Sequence, residues 1–156
     1  MNTLKKSYKS LVLAMIAYVA LMFLPILLPF KDEALLTRIT LNMCNLGIVG
    51  LMLMIYINER VYWINGTTYE EALAAGSYRR KLFAKRHLIR FLIAFIAYLL
   101  LSILFQFLNL KIWMDIVIFV ILTIGAALST MGIKLWLFMY KTMVGYYMEN
   151  GGLSWN

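Results

Sequence analysis

The sequence predicts an all-α membrane protein, a four-helix transmembrane bundle, and three observations carry that reading. Apolar stretches near residues 11–30, 35–57, 91–110 and 113–133 each approach the length that crosses a bilayer, roughly twenty residues. Of the 156 residues, 63% are hydrophobic and 14% charged, with mean hydropathy +0.82, whereas charged residues make up about a quarter of a soluble domain. The third observation is the sorting of basic residues between the two ends of the spans. Lys5, Lys6 and Lys9, the seven basic residues from Arg60 to Arg90, and Lys134 and Lys141 fall on one side, leaving only Lys31, Arg38 and Lys111 on the other.

By the positive-inside rule the richer side is cytoplasmic, so both termini are expected inside a cell, in a multi-pass plasma-membrane protein. The lysine, isoleucine and methionine usage reads as bacterial. A net charge of +8 raises the question of nucleic acid, but these charges cap apolar spans instead of forming a soluble basic face, so no nucleic-acid partner is expected. The chain is read as one polytopic domain over 1–156, with no room for a folded domain outside the bundle.

Span one has a lysine-rich prelude like that of a signal peptide, yet its apolar run is long and ends in Pro25-Ile26-Leu27-Leu28-Pro29 without a small-residue cleavage site, so it is expected to stay as an anchor. Pro25 and Pro29 lack amide donors and favour a kink or an early helix end. A very short outer turn, Lys31-Asp32-Glu33, leads into span two.

The segment 58–90 is expected to form a helical elbow on the inner membrane surface. Asn65-Gly66 reads as a turn, and Thr68 with Glu71, or Thr67 with Glu70, makes a capping box. A short helix from Tyr69 to Ala75 is expected to stop at Gly76, with Ser77 capping a second helix that runs through Arg79, Arg80 and Lys81 into span three. Asn65-Gly66-Thr67 also matches a glycosylation acceptor, which the inner placement argues against. Spans three and four are joined within a few residues around Leu110 to Asp115, so they should be antiparallel neighbours. Residues 134–149 place Lys134, Lys141, Thr142, Gly145 and Glu149 on one helical arc, an amphipathic interfacial helix or the snorkelling end of a tilted span four.

Two polar strips carry the chemistry. Arg38, Asn42 and Asn45 recur on one face of span two, and Tyr98, Ser102, Gln106 and Asn109 on one face of span three. Antiparallel pairing sets Arg38 level with Asn109, Asn42 with Gln106 and Asn45 with Ser102, and puts Asp115 within reach of Arg38. The strips are expected either to join helices as a polar seam or to line an outward-facing cleft for a polar or anionic ligand. Thr40, Cys44 and Gly47, and Gly125, Ser129 and Gly132, form small-residue faces expected to serve helix packing within or between chains.

Arg79, Arg80, Lys81, Lys85, Arg86 and Arg90 are candidate contacts for anionic lipid headgroups, set in a solvated collar that includes His87. Cys44 is the sole cysteine, which excludes an internal disulfide and a cysteine-rich zinc site. The eleven methionines show no convergent soft-metal pattern, and there is no HExxH, phosphate loop or nucleophile elbow. No catalytic residue, metal or cofactor is therefore expected. The expected function is that of a non-enzymatic accessory or structural subunit, as a homo-oligomer or beside a larger membrane protein. A small transporter or channel-like carrier and an anionic-lipid binding module are the alternatives.

Overall fold

The computed structural model describes residues 6–27, 29, 31–64 and 66–135, and among these it is all-helical, with four helices long and apolar enough to cross a membrane. The expected interfacial helix beyond Leu135 and Asn65 of the glycosylation match lie outside the described residues. Helix α1 spans Lys9–Phe23 and ends where Pro25 approaches, passing into a 3₁₀ turn over Leu24–Leu27. The proline thus ends the α-helix early, because its ring and missing N–H cannot continue the hydrogen-bond ladder.

Helix α2 spans Glu33–Asn58 and begins at Asp32, whose Oδ1 accepts from the amides of Ala34 at 2.9 Å and Leu35 at 3.2 Å. That cap satisfies two of the four free donors at the helix start. At the far end Glu59 takes the left-handed conformation, φ 56°, and closes the helix with its N–H on the carbonyl of Ile55.

Helix α3 spans Tyr69–Phe107, 39 residues broken at Gly76, and the part from Ser77 to Phe107 alone rises about 46 Å at 1.5 Å per residue, longer than the roughly 30 Å hydrocarbon layer. Of the two capping boxes open in the sequence, Thr68 and Glu71 form the one observed. Gly76 interrupts the helix with φ 73° and ψ 164°, so the bent elbow exists, though as a break inside a nearly continuous helical run. Ser77 does not cap the second segment: its hydroxyl donates to Glu59 Oε1 at 2.6 Å. Helix α4 spans Ile112–Met131, about 30 Å long, after a turn at Leu108 and Asn109.

Helix α2 packs along α3, α3 along α4, and α1 along α2, while α2 also touches α4. The Tyr62 hydroxyl accepts from the Ser7 amide and donates to the Ser7 carbonyl, and Leu135 joins the apolar cluster of the elbow, so the start of α1 and the end of α4 lie at the elbow end. Burial is inverted relative to a water-soluble bundle. Asp115 is 0% and Arg38 4% exposed, while Leu13 is 68% and Leu100 63% exposed. Such an exterior suits a hydrocarbon solvent and would aggregate in water.

Candidate functional site

Arg38 sits one and a half turns into α2, and its guanidinium is consumed entirely by other groups of the chain. Nε lies 3.2 and 3.1 Å from the two oxygens of Asp115 on α4, and one terminal nitrogen lies 3.1 Å from Oδ2. The same terminal nitrogen donates to the carbonyl of Leu110 at 2.9 Å, and the other donates to Gln106 Oε1 on α3. One cation therefore binds α2, α3, α4 and the turn between the last two. Charge-assisted bonds of this kind are the strong ones where water is excluded.

Below this pair, Asn42 Nδ2 donates to its own helix at the carbonyl of Arg38, 2.9 Å, and to Ser102 Oγ, 3.1 Å. Asn45 accepts from Thr123 Oγ1 of α4 at 3.4 Å. Tyr98 is 0% exposed, its ring edge-on to Phe119 at 5.5 Å between centroids. The Tyr98 hydroxyl, Asn42 Oδ1 and Asn45 Nδ2 have no hydrogen-bond partner among the described residues. A crevice of about 310 Å³ between α2 and α3 reaches Arg38, Asn42, Ser102 and Gln106 past Leu35 and Phe107.

The strips thus meet, but one helical turn away from the expected register: Arg38 reaches Gln106 and Asn42 reaches Ser102. Asn109 takes no part. Helix α3 ends at Phe107, so Asn109 falls in the turn, exposed and left-handed at φ 52°, and the Leu110 carbonyl takes the place expected for it. Asparagine tolerates that backbone conformation better than most residues. Thr123 belongs to the network and was not foreseen; it lies two turns past Asp115 on the same face of α4, which is the signal that marks it.

The two small-residue faces separate. Gly47 allows the ring of Tyr18 on α1 to lie directly against the α2 backbone, where an added Cβ would collide with it, while Cys44 is buried on the same side of α2 and Thr40 bonds back to the Leu36 carbonyl. Along α4 and its C-cap, Gly125, Ser129 and Gly132 are exposed, with nothing near the Cβ that either glycine lacks, so among the described residues they form no seam.

The elbow is not a solvated collar throughout. Arg80 is 4% exposed; its Nε and one terminal nitrogen bind Glu59 Oε2 at 3.1 and 2.7 Å, and the other terminal nitrogen binds the Ala72 carbonyl at 3.0 Å. His87 is also buried, its Nδ1 3.0 Å from the Phe83 carbonyl. The bend at Gly76 folds the Tyr69–Ala75 segment back over one face of α3, so Arg80, Phe83, Ala84 and His87, at i, i+3, i+4 and i+7, turn inward. A helical wheel of α3 taken in isolation misses this. Of the other candidate headgroup contacts, Arg79 is half-buried, Lys81 lies 3.6 Å from Glu59 Oε1, and Lys85, Arg86 and Arg90 are exposed.

Burial pushes the Glu59 carboxyl up, but the Ser77 and Arg80 hydrogen bonds and the charges of Arg80 and Lys81 outweigh it and hold the group below its ordinary value. Glu59 therefore stays ionised at neutral pH as the counter-charge of the elbow. Among the described residues no three His, Cys, Asp or Glu side chains converge as a metal site. No protein-family model, curated protein or solved structure matches this chain.

Proposed function

We propose that this chain is a non-enzymatic accessory or structural subunit of a membrane assembly, joined to a second copy or a larger membrane protein through α4. The observation that carries this reading is the outward Gly125, Ser129 and Gly132 stripe, left open at each glycine among the described residues, while the polar side of α4 is already spent on Arg38 and Asn45. Small residues let helix backbones approach closely, and in lipid it is packing and interhelical hydrogen bonding that hold helices together. The sorted basic residues support a plasma-membrane setting with the elbow inside, and a bacterial cell suits the composition.

The test is association in lipid bilayers by single-molecule photobleaching. Gly125→Leu with Gly132→Leu is expected to shift the population toward single chains without lowering the melting temperature, and an unchanged distribution would sink the reading.

The crevice between α2 and α3, together with three buried polar atoms that lack partners among the described residues, supports a second reading as a small carrier with an outward-facing polar cleft. Single cysteines at positions 42, 45, 102 and 106 in a Cys44→Ala background discriminate the two. Labelling of all four by a membrane-impermeant thiol reagent in intact cells supports the carrier, and protection of all four supports the dry seam.

A further inference from the structure

At the elbow end, a cavity of about 660 Å³ lies between the elbow and the end of α4, separate from the buried ion pair and independent of the subunit reading. Its volume falls in the range that holds small ligands, about 300 to 1,000 Å³. Three charged or basic side chains reach it: Glu71, His87 and Lys134. His87 is 3% exposed, and because a carbonyl oxygen only accepts, the bond to Phe83 puts the proton on Nδ1. In the neutral ring Nε2 is then an acceptor. Glu71 spends Oε2 on the Thr68 amide within the capping box, which leaves Oε1 for a ligand. Among the described residues no carboxylate lies within ion-pair distance of Lys134.

Two acceptors and one ammonium donor in a single cavity match a ligand that carries both signs of charge. The remaining wall mixes the hydroxyls of Thr67 and Thr130 with apolar Ile64 of the elbow and Ala127, Met131 and Ile133 at and just past the end of α4. The site is level with the end of a bilayer-length helix, where headgroups meet acyl chains.

We propose that this cavity binds a primary ammonium linked to a phosphate ester, the ammonium held by Glu71 and His87 Nε2 and the phosphate by Lys134. An aminoethyl phospholipid headgroup and soluble phosphoethanolamine share this chemistry. A choline headgroup lacks the N–H donors, and a glycerol headgroup lacks the cation.

The test uses the full-length protein in neutral detergent micelles, titrated with short-chain ethanolamine, choline and glycerol phospholipids and read by native mass spectrometry. One ethanolamine lipid per chain is expected, with the other two binding at least about tenfold more weakly, the scale of one lost charge-assisted hydrogen bond. Glu71→Gln and Lys134→Gln should each weaken it about tenfold, and the melting temperature should hold because Gln also closes a capping box. Displacement by soluble phosphoethanolamine assigns the site to the free compound, and retention of the lipid against it assigns the site to the headgroup; each stands with the proposal. Equal binding of the three lipids, or unchanged binding in both variants, overturns it.

Discussion

Arg38 and Asp115, 77 positions apart in the chain, form one buried ion pair that locks α2 to α4, with Asp115 fully enclosed and Arg38 bonded in addition to Gln106 and the Leu110 carbonyl. Removing one partner leaves the other charged and desolvated, which costs about 3 to 5 kcal/mol in a protein interior, whereas a well-packed apolar pair is often neutral. Arg38→Ala and Asp115→Ala are therefore each expected to lower stability by about that amount. The double change Arg38→Met with Asp115→Leu should recover most of it. Unfolding in mixed micelles, followed by circular dichroism, checks the cycle; a double variant that loses the sum of the two single losses would show that the two groups do not act as a pair.

Gly47 and Gly125 carry opposite expectations despite similar sequence surroundings. A side chain at Gly47 meets the Tyr18 ring, so Gly47→Leu should split α1 from α2 and lower the melting temperature. Gly125→Leu meets open space and should leave it unchanged or slightly higher, since leucine is the better helix former. Thermal unfolding of the two variants side by side decides between these placements.

Most of the fold was legible because hydrophobic length, turn chemistry and capping are local signals. Asp32, Thr68 with Glu71, Pro25 and Gly76 each do what their residue type dictates. The polar strips were legible as faces, but not their register, which depends on where α3 ends and thus on the left-handed turn at Asn109. The burial of Arg80 and His87 was hidden for a related reason. It arises from a segment folding back at Gly76 onto α3, and a wheel drawn for one helix contains no information about what covers it.

Gly76 is a third site where a small change has a large expected effect. Its φ of 73° with ψ of 164° is a region open essentially to glycine, so Gly76→Ala costs about 1 to 3 kcal/mol of backbone strain even though space surrounds the missing Cβ. The strain is expected to appear locally. Hydrogen exchange across 69–87 should quicken in the variant while the amides of α4 stay protected, and unaltered exchange across the elbow would contradict the assigned conformation.

Glu59 sets how the elbow responds to pH. Its side chain gathers Ser77 at 2.6 Å, Arg80 at 2.7 Å and Lys81 at 3.6 Å, and together they hold its carboxyl below the ordinary value against the opposing effect of burial. A carboxylate with a depressed folded-state pKa stabilises the fold fully above its unfolded-state pKa, and the contribution fades as pH falls through the folded-state value. Acidification below the normal carboxylate range should therefore loosen the elbow, read as faster hydrogen exchange across 69–87, and Glu59→Gln should flatten that dependence while lowering stability at neutral pH. Glu59→Gly separates backbone from charge. It relieves a left-handed residue, worth about 1 to 2 kcal/mol, but removes charge-assisted hydrogen bonds worth about 1.5 to 3 kcal/mol each, so a net loss is expected. A more stable Glu59→Gly protein would mean that the Arg80 contact contributes little and that α2 merely needs a place to stop.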